Sequence, residues 1–283
     1  MIRKKLAWHW GQYLIPTEWE AMNYSLHSEK GALQFFTREG LQATYSWRTV
    51  AGLPDHRRIQ AELCRMTLRD NVLEKVKEPS MEFQHWGDFQ ICLCKQANLV
   101  SASLHIPANN ILIDWRFSFS ELTLDIYRET LSSYKTNDAD RVHWVFQDMG
   151  CRLPDNFYPN EVKVMPGSSM AQFSTYRHEK VILRRWALPE ELLGKRSLEE
   201  YGVWLMKHLN RKILKSEAHT IGPNPAISIT YNEMGKFGFE GLIGSWWRGL
   251  STIWKDEASK RVYAFENYGP KGKKLPSLEE SWL

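Results

Sequence analysis

The sequence predicts an α+β fold built from repeated modules, each an antiparallel β-meander followed by a helix. Three observations predict it. Short apolar-alternating runs recur between turn residues, as antiparallel strands require. Amphipathic stretches with helical spacing follow these runs. An opening phrase also recurs. Trp10-Gly11-Gln12-Tyr13-Leu14-Ile15-Pro16-Thr17-Glu18-Trp19 is echoed by Trp86-Gly87-Asp88-Phe89-Gln90-Ile91 and by Gly150-Cys151-Arg152-Leu153-Pro154-Asp155-Asn156-Phe157. The period of about 65–70 residues exceeds that of solenoid repeats, so the modules are expected to be small packed domains or half-domains. There are roughly three, with a divergent C-terminal β segment. The expected boundaries are residues 1–80, 81–140, 141–216 and 217–283.

In the first module Tyr13 to Ile15 read as a strand stopped by Pro16. Ala32–Phe36 and Leu41–Trp47 form the arms of a hairpin, with Thr37-Arg38-Glu39-Gly40 as its turn. Leu41, Ala43, Tyr45 and Trp47 share one face of the second arm by the period-two rule. Pro54 and Asp55 suit a helix start. Ile59, Leu63, Met66, Leu73 and Val76 then recur at roughly helical spacing. The Pro-x-x-Trp of Pro16 to Trp19, followed by a meander and a helix, resembles the PsbP-like fold. The resemblance rests on Trp10 to Trp19 and on the element order of this module. No residue or activity is carried over from it.

In the second module Gln90–Cys94, Leu99–Ile106 and Ile111–Phe117 read as strands. Ser118-Phe119-Ser120-Glu121 has the capping-box pattern. Leu124, Tyr127, Leu131 and Tyr134 then make one apolar helical stripe. In the third, Val142, Trp144 and Phe146 alternate as a strand. Met170–Phe173 and Val181–Trp186 form a hairpin around Tyr176–Lys180. Ser197-Leu198-Glu199-Glu200 is a second capping box, and Leu198, Tyr201, Leu205, Leu209 and Ile213 step along one helical face. The final segment offers strands at Ala226–Tyr231, Leu250–Lys255 and Arg261–Tyr268, then a Ser277 cap for a short helix.

The 283 residues include 13 Trp, 11 Tyr and 12 Phe. Such rings fill shallow cores and also mark contact surfaces. Net charge is +4, and the excess is uneven: residues 151–283 carry 20 Lys+Arg against 15 Asp+Glu. That excess is too small to imply nucleic acid by itself. The opening residues lack the apolar core of a secretory signal, and no run approaches a membrane span. A cytoplasmic location with free thiols is expected for Cys64, Cys92, Cys94 and Cys151.

No phosphate-binding glycine loop and no Gly-x-Ser-x-Gly elbow is present. Gly167-Ser168-Ser169 lacks the second glycine of such an elbow. Cys92 and Cys94 share a strand face, but Cys64 and Cys151 look isolated, so the four-ligand set of a structural zinc site is missing. No metal, cofactor or catalytic residue is expected. His178-Glu179 at a hairpin tip reads as solvated surface charge.

The candidate contact residues are Arg184, Lys207, Arg211, Lys215, Trp246, Trp247 and Arg248. Lys207, Arg211 and Lys215 stand four apart on the expected third helix and would form one cationic line. Trp246-Trp247-Arg248 places two rings beside a cation. The sequence thus points first to a non-enzymatic interaction protein, an adaptor or accessory subunit with a protein partner. A nucleic-acid-associated protein using the basic C-terminal face is the second reading, since cations and rings together follow a phosphate backbone. An enzyme with a dispersed site is the third.

Overall fold

The computed structural model describes residues 2–70, 80–137, 141–233 and 247–282. Its contacts divide the chain into two compact units, Met1–Asp148 and Met149–Leu283.

The first unit contains β1 (Arg3–Trp8), β2 (Gly11–Pro16), β3 (Glu20–Met22), β4 (Lys30–Thr37) and β5 (Gly40–Thr49). Helix α1 (His56–Asp70) comes next, then β6 (Glu82–Trp86), β7 (Phe89–Cys94), β8 (Leu99–Ile106) and β9 (Ile111–Ser118). The unit closes with α2 (Leu124–Ser132), β10 (Lys135–Thr136) and β11 (Arg141–Phe146). The second unit contains β12 (Met149–Pro154), β13 (Tyr158–Met165), β14 (Ser168–Ser174) and β15 (Lys180–Ala187). Helices α3 (Pro189–Leu193) and α4 (Leu198–His208) follow. Then come β16 (Lys212–Ile221), β17 (Asn224–Glu233), β18 (Trp247–Asp256), β19 (Arg261–Pro270) and α5 (Leu278–Ser281).

Each unit holds a seven-stranded antiparallel sheet, and the two sheets have one topology. The first runs β3-β4-β5-β9-β8-β7-β6 and the second β13-β14-β15-β19-β18-β17-β16. In both, a three-strand meander leads to helix, and a four-strand meander returns with its last strand against the last strand of the first. The strands of segments 1–80 and 81–140 therefore share one sheet. The remaining strands of the first unit form a further sheet, in the order β10-β2-β1-β11.

The opening phrase has a matched structural role in the two units. His9 and Gln147 take left-handed conformations (φ 47° and 55°) at the turns after β1 and β11. The Trp19 amide donates to the Pro16 carbonyl at 3.2 Å, and the Phe157 amide donates to the Pro154 carbonyl at 3.1 Å. Trp19 and Phe157 are each 4% exposed. Proline ends the strand because it cannot continue the ladder, and the aromatic three residues later turns inward.

Period-two alternation divides the first sheet between two layers. One face carries Phe35, Tyr45, Trp115 and Phe117, all buried. Trp115 stacks on Phe117, Phe117 stacks on Tyr127 of α2, and Tyr13 of β2 meets Trp115 edge-on. Much of the aromatic excess is thus core. The other face carries Ser46, Ser101, Ser103 and Asp114 beneath or beside α1. In the second unit the face bearing Tyr263 and Phe265 meets Trp254 and Trp282, and Trp282 also bridges to Cys151 of β12. The opposite face lies under α4, with Ile227, Ile229 and Ile253 packed against Tyr201, Leu205 and Met206. Gly202 permits this approach: a Cβ there would stand 3.0 Å from the Ile229 side chain.

Four local expectations are corrected. The helix over Leu198–Ile213 stops at His208. Asn210 turns left-handed (φ 56°), and Lys212 begins β16, whose ladder with β17 outweighs continued helical spacing. The Ser118–Glu121 capping box does not form. Ser118 ends β9, and Ser120 makes no side-chain cap bond. Cys64 is not isolated, since its Sγ lies 4.0 Å from that of Cys92. Glu179 is buried rather than solvated, where it meets Lys273 and accepts from Thr175 Oγ1 at 3.3 Å. The Ser197 box does form, with Glu200 N to Ser197 Oγ at 3.1 Å and Ser197 N to Glu200 Oε2 at 2.7 Å. Leu73 and Val76 lie outside the described residues. Among the described residues, no helix is long and apolar enough to cross a membrane.

Candidate functional site

Three of the seven candidate residues, Arg184, Arg211 and Trp247, gather around one group in the second unit. Its base is Glu266, on β19, which is 0% exposed. A carboxylate removed from water must recover its lost hydration from specific donors. Arg184 Nε, on the adjacent β15, donates to Oε1 at 2.8 Å, and the Tyr231 hydroxyl donates to Oε2 at 3.2 Å.

Tyr231 reaches Glu266 because of a glycine. Cross-strand register aligns Tyr231 of β17, Gly249 of β18 and Tyr268 of β19. A Cβ at Gly249 would lie 2.2 Å from the Tyr231 ring, so any larger residue displaces it. With glycine there, Tyr231 and Tyr268 lie parallel across the strand, centroids 6.4 Å apart. Trp247 extends the stack, 5.1 Å from Tyr268 at 22°. Arg211 caps it, with Cζ 4.9 Å from the Tyr231 centroid and 5.3 Å from that of Tyr268. Lys180 Nζ stands 5.8 Å from the Tyr268 ring. The result is a ring column edged by cations over a buried ion pair.

The other candidates are dispersed. Lys207 is exposed near the end of α4, Lys215 pairs with Glu217 on β16, and Arg248 is exposed on β18. Strand alternation sends Arg248 to the side opposite Trp247. Trp246 lies outside the described residues.

Sequence reasoning missed a second aromatic group on α4. Trp204 is 42% exposed. Its ring stacks on His208 at 5.3 Å and 12°, and the Arg196 guanidinium lies 4.9 Å above it. Tyr201 adjoins from the buried side at 5.7 Å. The spacings were available: Tyr201, Trp204 and His208 stand three and four apart, the separations that meet on a helix surface.

The equivalent helix-covered face in the first unit carries a polar network beside the apolar cluster of Cys64, Cys92, Cys94 and Leu99. Gln60 of α1 donates through Nε2 to the Gln90 carbonyl at 2.6 Å and to Ser103 Oγ at 3.1 Å. His56 Nδ1 lies 2.7 Å from the same oxygen. Burial lowers the pKa of His56, His105 nearby lowers it further, and Asp55 opposes them. Asp114, directly across from Ser103, is paired with Arg48 at 3.5 Å. Its pKa is raised because desolvation outweighs Arg48 and Arg116. A serine beside a histidine suggests nucleophile activation. Ser103 is fully buried, however, so this network holds α1 to the sheet and offers a substrate no access in this conformation. Among the described residues, no group of three or more His, Cys, Asp or Glu is arranged to hold a metal ion.

No family model matches the chain, and no curated protein does. Two solved structures show distant likeness. The solution structure of cyanobacterial PsbP (CyanoP) from Synechocystis sp. is 13% identical, with a TM-score of 0.36, over 48% of this chain and 83% of that one. The apo structure of the immunity protein TplEi of T6SS from Pseudomonas aeruginosa is 11% identical, with a TM-score of 0.32, over 93% of this chain and 92% of that one. At these scores neither likeness bears on function.

Proposed function

We propose that this chain is a non-enzymatic interaction protein, an adaptor or accessory subunit of a larger intracellular assembly. The observation that supports the reading is the Arg196–Trp204–His208 group on α4. Trp, Tyr and Arg dominate binding hot spots because they bury large area and retain polar contacts. Here a tryptophan is held at the surface between two partners that limit its rotamers, so little side-chain entropy remains to be lost on binding. Lys207, exposed on the same helix, supplies a further cation in the same unit.

The nucleic-acid reading has less support. Arg184 is committed to the buried Glu266, which leaves one cation fewer to neutralise phosphates.

The test compares wild-type chain with Trp204→Ala as bait in extracts of the native host. A partner is expected that the wild type retains and the variant loses. Equal capture by both, or recovery of the chain alone, removes this reading. Fluorescence anisotropy with a labelled oligonucleotide across a salt series tests the other; absence of binding at low salt removes that one.

A further inference from the structure

We propose that Cys64 and Cys92 form a reversible disulfide that ties α1 to β7. The proposal stands on placement. Cys64 is on the buried side of α1, and Cys92 faces it from the sheet, their sulfurs 4.0 Å apart. Both are fully buried, in a small cluster with Cys94, Ala97 and Leu99 and with Met81 packed against it. A disulfide needs about 2.05 Å between sulfurs, so closure requires about 2 Å of approach, within reach of χ1 rotation and a small helix shift. No other function uses these thiols: Gln60 and His56 hold α1 to β7 and β8 one and two turns away.

The two sulfurs share one contact in which either can donate. Whichever loses its proton first is the attacking thiolate, since the thiolate is the reactive form, and both orders give the same product. With a small-molecule disulfide such as oxidised glutathione, that thiolate attacks one sulfur and expels a glutathione thiolate, leaving a mixed disulfide. The other cysteine, deprotonated in turn, attacks the protein sulfur of the mixed disulfide, forms the protein bond and expels the second glutathione. The two thiol protons end on the two released glutathiones. The protein loses two electrons, and the oxidant gains them. Local opening of α1 must admit the reagent, so reaction is expected to follow that opening rate. Cys151, buried in the second unit, which has no other cysteine, serves as an internal control.

The full chain is incubated with oxidised glutathione, alkylated under denaturing conditions and mapped by mass spectrometry without reduction. The expected product has lost two hydrogens, contains a Cys64–Cys92 peptide and reverts with dithiothreitol. Cys94→Ser keeps the link, whereas Cys64→Ser and Cys92→Ser each lose it. The oxidised chain is expected to melt at a higher temperature than the reduced chain. Alkylation of all four thiols, a persistent glutathione adduct on Cys64 or Cys92, or a link through Cys94 or Cys151 in the wild type overturns the proposal. So does an unchanged or lower melting temperature after the link has formed, because the bond would then not fit the native packing. The wild-type map and Cys94→Ser decide the matter even if Cys64→Ser fails to fold.

Discussion

The two units share one seven-stranded topology and bury different chemistry under the crossing helix. Between α1 and its sheet lie Gln60, Ser101, Ser103 and Asp114, beside the apolar Cys64–Cys92 cluster. Beneath α4 lie Ile227, Ile229 and Ile253, interrupted by the Glu266–Arg184–Tyr231 group. Strand order is therefore compatible with either filling. Topology is set by which strands pair. What lies between helix and sheet is constrained only by volume and by the need to satisfy each buried polar group. The first unit spreads its polar contacts over a network that leaves Gln60 Oε1, Ser101 Oγ and Asp114 Oδ1 without a hydrogen-bond partner, whereas the second concentrates them in one ion pair.

The largest expected effect tests that contrast. Arg184→Met leaves the Glu266 carboxylate buried with only the Tyr231 hydroxyl, and removal of one partner of a buried pair costs about 3–5 kcal/mol. Arg48→Met should cost less, because Arg48 is more exposed than Arg184 and its contact with Asp114 is longer. Urea unfolding of the two variants compares them. Equal losses would show that the units do not differ in how concentrated their polar stabilisation is.

Next comes the turn residue of the opening phrase. Burial drops the pKa of His9 from 6.5 to about 3; a hydrogen bond that its ring donates to the Ser25 backbone opposes this, and His27 lowers the pKa further. Its ring packs among Trp8, Trp47 and Trp144. Below pH 6.5 the unfolded chain binds a proton that the folded chain refuses. Stability should fall as pH drops from about 6.5 towards about 3 and then level off. The slope from this residue is at most about 1.4 kcal/mol per pH unit. His9→Asn keeps a residue that tolerates the left-handed turn and removes the titration. Its acid limb in denaturant titrations should be shallower by one proton. Gln147, at the matching turn, contributes no such limb, and Gln147→Asn should leave the pH profile unchanged.

A smaller effect is expected at Gly249. Gly249→Ala drives a methyl into the Tyr231 ring, and overpacking of this kind costs about 1–3 kcal/mol. Near-ultraviolet circular dichroism should also change as the ring stack is displaced. An unchanged spectrum and midpoint would mean that the column does not depend on the glycine.

The smallest effect separates two serines that look alike in sequence. Ser197→Ala removes a formed capping box and should cost about 1 kcal/mol. Ser118→Ala removes no cap bond, so its unfolding midpoint should stay at the wild-type value. A loss at Ser118 equal to that at Ser197 would contradict the capping geometry.

Much of the candidate site was visible in the sequence only as residue type. Arg184, Arg211 and Trp247 stood out as cations and a ring, but 63 residues separate the first from the last. Glu266 had no signal at all. In Arg261-Val262-Tyr263-Ala264-Phe265-Glu266 a carboxylate reads as the outward position of a half-buried strand. It is inward because both faces of β19 are covered. The spacing of Leu205, Leu209 and Ile213 suited a helix through Lys215, yet β16 claims Lys212 onward, since pairing with β17 satisfies a whole row of backbone groups. Cys64 appeared isolated for the same reason: its neighbour Cys92 is 28 residues away and adjacent only once α1 lies on β7.

The sequence alone determined the local grammar. Alternation, turn residues, prolines and caps specified the α+β class, most strands and the Ser197 helix start. These depend on interactions within a few residues. The tertiary structure decided which meander continues which sheet, where α4 stops, which polar groups are buried and which thiols meet. Those outcomes depend on contacts between residues far apart in the chain. Their strength is set by desolvation and packing, which no short stretch of sequence contains.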